Sequence, residues 1–270
     1  MSQMAFVDRL KQGQRLDDEL LIDAHAHMGP WYNFHIPGNG TPESMIEAMD
    51  MIGIDVTVVA PHVAIGPDMH EGNRQAIDAS QRYPDRFLPY ITINPRYSIP
   101  DIEAEIEWCE DQLGTIPGFK LHPSCHGVDC SHRGYGAVYE YANDHAIPVL
   151  SHVWSGPEEE GTTFLTRQAQ AYPRITFIHA HSANQWERMR ELLDEVKRND
   201  NVVLDLCGSK LFYGMLEEMV DEIGAGRIVW GTDSPFIDVR PSLGRIMAAR
   251  IDDDDKRLIL GKNAQRIFGL

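Results

Sequence analysis

Three segments decide the fold. They are Leu20-Leu21-Ile22-Asp23-Ala24-His25-Ala26, then Thr41-Pro42-Glu43-Ser44-Met45-Ile46-Glu47-Ala48-Met49-Asp50-Met51-Ile52, then Ile54-Asp55-Val56-Thr57-Val58-Val59-Ala60. The first and third are short apolar runs, and the third is rich in the β-branched residues that suit a buried, pleated strand. In the middle segment Thr41 is placed to cap a helix and Pro42 to occupy its first position. Met45, Ile46, Met49 and Ile52 recur at helical spacing. Strand, helix and strand in that order form a β-α-β unit and imply parallel pairing.

The alternation continues to the C-terminus. Strands are expected at Phe87–Ile93, Ile116–Leu121, Ile147–His152, Ile175–Ala180, Val202–Leu206 and Arg227–Trp230. Helices are expected near Asn73–Tyr83, Asp101–Leu113, Tyr135–His145, Phe164–Tyr172, Asn184–Lys197 and Leu211–Ile223, with a helical tail at Leu243–Ala249 and Asp253–Phe268. The acidic run Asp252–Asp255 suits the start of a helix, where negative charge meets the dipole. About eight strand-helix units in 270 residues match the length of a TIM barrel, (β/α)₈, better than an open doubly wound sheet. The α/β chain is therefore read as one domain, 1–270, with residues 1–19 as an N-terminal extension, helical and lying on the barrel bottom or a partner subunit.

Composition narrows the function. A formal net charge of -17 argues against a binder of nucleic-acid backbone and gives no support for docking on an anionic membrane. No apolar run approaches the length of a spanning helix, and the polar start, Met1 to Gln14, is unlike a secretory signal. Cys109, Cys125, Cys130 and Cys207 match no zinc-knuckle or redox spacing and read as reduced, mostly buried thiols, which suits the cytoplasm. No dinucleotide-type glycine loop and no Gly-x-Ser-x-Gly nucleophile elbow occurs.

The polar residues cluster where strands end. His25 and His27 close the first strand, Lys120 and His122 the fourth, His152 the fifth, and His179 and His181 the sixth, while Asp233 follows the eighth. Side chains two apart on a strand share a face, so His25 and His27 can both point into the barrel mouth. That mouth, at the strand C-termini, is where TIM barrels keep their chemistry. Imidazoles and a carboxylate are donors for zinc and similar divalent ions, and three or four of them leave room for a reacting group. A lysine at such a depth needs a partner or a modification. Lys120 has three readings: carboxylated and bridging two metals, charged and binding a substrate carboxylate, or paired with an acid in the barrel. Trp31, Tyr32, Phe34 and Trp154 follow strands and suit a pocket for a flat or apolar substrate, and His62 and Arg96 lie in loops beside the mouth.

The segments Ile22-Asp23-Ala24-His25-Ala26-His27, Gly118-Phe119-Lys120-Leu121-His122-Pro123, Pro148-Val149-Leu150-Ser151-His152, Ile178-His179-Ala180-His181, Trp230-Gly231-Thr232-Asp233-Ser234-Pro235-Phe236 and Ile259-Leu260-Gly261-Lys262-Asn263-Ala264-Gln265-Arg266-Ile267-Phe268 together resemble the amidohydrolase superfamily, in the branch that holds aminocarboxymuconate semialdehyde decarboxylase. The resemblance spans nearly the whole chain. It implies a metal on His25, His27, His152 and Asp233, with zinc first and manganese, iron or cobalt as alternatives, and His181 as a catalytic acid or base. Ser182 and Ala183 stand where the branch often has glycines, and the extra His179 precedes them. The strand-six assignment is therefore open, and Lys120, His179 and His181 are candidates for a second or bridging metal.

Three functions follow. The first is metal-dependent hydrolysis of an amide, ester or lactone bond of a small organic acid by a metal-activated water, with Asp233 and His181 moving the proton. The second is non-oxidative decarboxylation of an aromatic or muconate-like acid, and the third a non-catalytic ligand-binding barrel. Lys120, His122, Trp31, His62, Arg96 and Trp154 are the substrate-binding candidates. The partner expected is a small molecule, and a homo-oligomer is left open.

Overall fold

A computed structural model describes residues 5–153, 162–182, 184–208 and 210–270. Among the described residues nine strand segments run in order: β1 Ile22–Met28, β2 Val56–Pro61, β3 Phe87–Pro89, β4 Ile91–Thr92, β5 Phe119–Leu121, β6 Val149–Ser151, β7 Phe177–His179, β8 Val202–Asp205 and β9 Ile228–Val229. Every pairing between neighbours is parallel. β3 and β4 are two halves of one barrel strand broken at Tyr90, whose N–H donates to Val59 O while Ile91 N–H donates to Gly118 O. The ring closes where Ala24 N–H donates to Trp230 O and Thr232 N–H to His25 O. The result is the expected eight-stranded barrel.

Alternation along each strand divides the apolar side chains into two layers. Ile22, Ala24, Val58, Ala60, Tyr90, Leu150, Ile178, Val203 and Val229 fill the interior. Phe87, Phe119, Val149, Phe177, Val202 and Ile228 face outward and pack under the helices. β1 departs from strict alternation. Asp23 pairs with Thr57 and Ala26 with Val59, so two residues, Ala24 and His25, oppose the single Val58. This bulge turns the face over. Ile22 and Ala24 point inward before it, Ala26 points outward after it, and His27 lies inward beside Ala60.

The helix after β1, Pro42–Ile52, starts as the sequence requires, with Thr41 Oγ1 accepting from Ser44 N–H at 3.3 Å. The extension contributes a helix, Phe6–Lys11, that packs against helix Val239–Ala248. The C-terminal tail is not one uniform helix. Asp253–Arg257 and Asn263–Phe268 flank a wider turn, Leu258–Lys262. There Ile259 O is drawn out of the helical ladder to accept from Trp230 N–H, and Gly261 lies against Leu20 O, where an added Cβ would come within 2.2 Å. Among the described residues no helix is long and apolar enough to cross a membrane.

Candidate metal centre

The centre is built at the C-terminal ends of six barrel strands. β1 carries His25 and His27, β5 carries Lys120, and His152 follows β6. His181 stands two residues beyond β7, Asp205 and Cys207 lie at the end of β8, and Asp233 lies beyond β9. Asp23 ties the two ends of the ring together. Its carboxylate accepts from His25 N–H at 3.2 Å, Thr232 N–H at 2.9 Å and Thr232 Oγ1–H at 2.5 Å. The histidine pair of β1 and the Asp233 loop are thereby held in one register.

Hydrogen bonds fix the imidazole tautomers, because a carbonyl or carboxylate accepts and leaves the lone pair on the other ring nitrogen. His25 Nδ1 donates to Asp205 Oδ2 at 2.7 Å, and His27 Nδ1 donates to Ala60 O at 3.0 Å. His181 Nδ1 donates to Cys207 O at 3.3 Å, so its Nε2 accepts from His152 Nδ1 at 3.1 Å. In all four rings the lone pair is on Nε2. His25 Nε2 meets Lys120 Nζ at 2.6 Å, and His27 Nε2 lies 3.3 Å from Asp233 Oδ1. One donor atom each from His25, His181, Cys207 and Asp233 falls within 4.8 Å of the others.

Electrostatics leave the imidazoles and the Asp233 carboxylate in the protonation states a cation needs, while burial pushes the Cys207 thiol up. Burial, then the charge of Lys120, drives His25 well below the usual imidazole range. Burial does the same to His152 and lowers His181 to about 4. Lys120 is fully buried, and that burial lowers its ammonium to about 8 although nearby acids oppose the shift. Burial also works against the Asp233 carboxylate, but its polar surroundings of His27, His181 and Lys120 outweigh it and hold the group well below its ordinary value. The site therefore presents neutral imidazoles and an ionised carboxylate. His181 and Asp233 both sit at positive φ, 59° and 62°, a conformation non-glycine residues seldom adopt outside over-determined positions.

The other expected residues divide. His122 stacks on His152 with ring centroids 3.9 Å apart. His62 stacks between His27, at 5.0 Å, and Phe236, at 4.2 Å, with Trp31 at 5.2 Å. Trp31 and His62 line a cleft of about 440 Å³ together with Gly29, Pro30, Tyr32 and Val63. His62 Nδ1 donates to Gly29 O at 2.7 Å, and Nε2 is buried without a partner among the described residues. Two expectations are corrected. Arg96 turns away to donate to His126 O at 2.9 Å and Gly127 O at 2.6 Å, so it braces a loop. His179 shares the outward face of β7 with Phe177, because Ile178 points inward, and its Nδ1 meets Ser182 Oγ at 3.3 Å instead of the cluster. Trp154 lies outside the described residues. Asp205 and Cys207 are absent from the set expected from the sequence. Their signal was the same spacing of two at a strand end that marks His25 and His27.

The family model described as Amidohydrolase matches residues 22–270. The chain belongs to the amidohydrolase family. With that membership and the buried donor cluster, it is a divalent-metal enzyme of the amidohydrolase superfamily. Its fold is similar to that of an uncharacterised TIM-barrel protein from Bordetella bronchiseptica, 19% identical, TM-score 0.75, covering 92% of this chain and 98% of that one. It is also similar to 5-carboxyvanillate decarboxylase from Novosphingobium aromaticivorans in complex with manganese and a nitrobenzoic acid, 16% identical, TM-score 0.73, covering 94% and 97%. A third similar structure is 4-oxalomesaconate hydratase from Rhodopseudomonas palustris, 18% identical, TM-score 0.69, covering 93% and 96%. No curated protein matches the chain.

Proposed function

We propose that this enzyme hydrolyses an amide, ester or lactone bond of a small, flat organic acid at a zinc-type centre. The observation that carries the reading is the committed Nδ1 of His25, His27 and His152, which leaves the lone pair of each ring on Nε2, with His27 Nε2 3.3 Å from the ionised Asp233. These four residues would hold the ion. A divalent ion so held supplies Lewis acidity toward a substrate oxygen and makes water a better nucleophile at neutral pH. Asp233 Oδ1 takes the proton of the attacking water, and His181 relays it to the leaving group through Nε2 on exchanging its contact with His152 Nδ1–H. Lys120 acts as a charged ammonium, its Nζ donating to His25 Nε2 at 2.6 Å, and it receives the substrate carboxylate. His62 and Trp31 hold the flat part of the substrate, and His122 supports His152 by stacking.

Decarboxylation is the second reading. The aromatic wall of Trp31, His62 and Phe236 beside His27 favours it, as does the chemistry of the manganese-bound relative. One experiment separates the two. Protein loaded with zinc or manganese is offered a panel of lactones, aryl esters and amides alongside hydroxybenzoic acids, and acid release and carbon dioxide are measured in parallel. Acid release without carbon dioxide supports hydrolysis. Carbon dioxide from the aromatic acids with no hydrolysis overturns it in favour of the second reading.

A further inference from the structure

We propose that Cys207 joins His25 and Asp233 on the metal as a thiolate, an assignment that rests on the metal-centre reading above and leaves His181 beside the ion as the proton relay. The four donor atoms already lie within 4.8 Å of one another. An ion about 2.0–2.3 Å from nitrogen, oxygen and sulfur donors sets adjacent donors about 3–4 Å apart. The cluster is therefore within a side-chain adjustment of closing on a cation.

Two independent features aim Cys207 at that point. The first is Asp205, which uses both oxygens: Oδ2 takes His25 Nδ1–H at 2.7 Å, and Oδ1 takes Cys207 N–H at 2.9 Å. One buried carboxylate thus orients an expected ligand and the cysteine together, the arrangement by which outer partners hold metal ligands in place. The second is Gly231. A Cβ there would come 2.6 Å from Asp205 Oδ1, 2.7 Å from His25 Cβ and 3.0 Å from Cys207 Cβ. The missing side chain is what lets the three groups converge. The remaining cysteines have other settings. Cys109 Sγ lies 3.7 Å from Glu105 Oε1, Cys130 Sγ lies 3.6 Å from Ser151 Oγ, and Cys125 Sγ lies 3.7 Å from His122 Nε2.

Coordination requires the thiol proton to leave to solvent as the ion enters. A thiolate donor also biases the site toward zinc and cobalt and away from manganese, which favours oxygen donors. The chain would then differ in metal preference from the manganese-bound relative of the same fold.

The test is the absorption spectrum of the cobalt(II)-loaded full chain, compared with Cys207→Ser and Cys125→Ser. A near-ultraviolet sulfur-to-cobalt charge-transfer band in the wild type, kept in Cys125→Ser and lost in Cys207→Ser while the visible d–d bands persist, is the expected result. Visible d–d bands with no charge-transfer band in the wild type would overturn the Cys207 assignment alone. A charge-transfer band that survives Cys207→Ser would also overturn it. Absence of any cobalt spectrum would overturn the metal-centre reading and this assignment with it.

Discussion

Asp205→Asn probes how the site commits its tautomers. Asp205 is fully buried and accepts two hydrogen bonds, one per oxygen, from His25 Nδ1–H and Cys207 N–H. Asparagine offers one acceptor and one donor in the same shape, so one of these N–H groups must face an amide NH₂. If the amide oxygen faces Cys207, His25 loses its partner and shifts its proton to Nε2, the atom that faces the centre. If it faces His25, the buried Cys207 N–H is left unmatched at about 1–3 kcal/mol of stability. Removal of an outer partner of a metal ligand costs about 10- to 100-fold in metal affinity, or about 1.4–2.7 kcal/mol. Chelator competition gives the zinc affinity, and nitrogen NMR of the imidazoles reports which ring nitrogen of His25 carries the proton. Weaker zinc binding with a changed His25 tautomer, or a lowered melting temperature with the tautomer kept, fits the geometry. Wild-type affinity, stability and tautomer together would refute it.

Asp233→Asn should keep the fold and lose about 10²- to 10⁴-fold in turnover, the scale of a lost general base; elemental analysis shows whether the ion stays, and near-normal turnover with metal bound contradicts the role. Gly231→Ala should cost about 1–3 kcal/mol in thermal denaturation, as overpacking does, and weaken metal uptake, because its Cβ would collide with Asp205 and His25. A pH effect follows from His126, whose Nε2–H donates to Ile65 O while Nδ1 accepts from the Tyr135 hydroxyl. Burial lowers its pKa from 6.5 to about 4. The folded state therefore binds fewer protons than the unfolded one between these values, and stability present above pH 6.5 is lost as the pH falls toward 4. The full effect is about 3 kcal/mol. Urea titrations at pH 7 and pH 4.5 should show a smaller acid loss in His126→Gln than in the wild type, and equal losses would count against it.

Much of this was legible in the chain. The alternation of apolar runs with helix-period segments specified a parallel α/β barrel, because each pattern admits only one way of burying its apolar face. The gathering of histidines at strand ends marked the mouth as the site. The ends of elements were less legible. The C-terminal helix widens at Leu258–Lys262 because Trp230, far away in sequence, recruits Ile259 O.

The sequence by itself determined which residues could bind a cation: imidazoles and a carboxylate spaced by two at the ends of strands. Tertiary structure decided which of them converge, and where they point. Strict alternation from Ile22 would put Ala24 inside and His25 and His27 outside. The bulge opposite Val58 reverses the face, and only pairing with β2 reveals it. The same dependence turned Arg96 to a loop and His179 outward, and brought Asp205 and Cys207 in behind His25. The physical reason is that side-chain direction follows strand register, and register is set between strands, beyond the reach of any single segment.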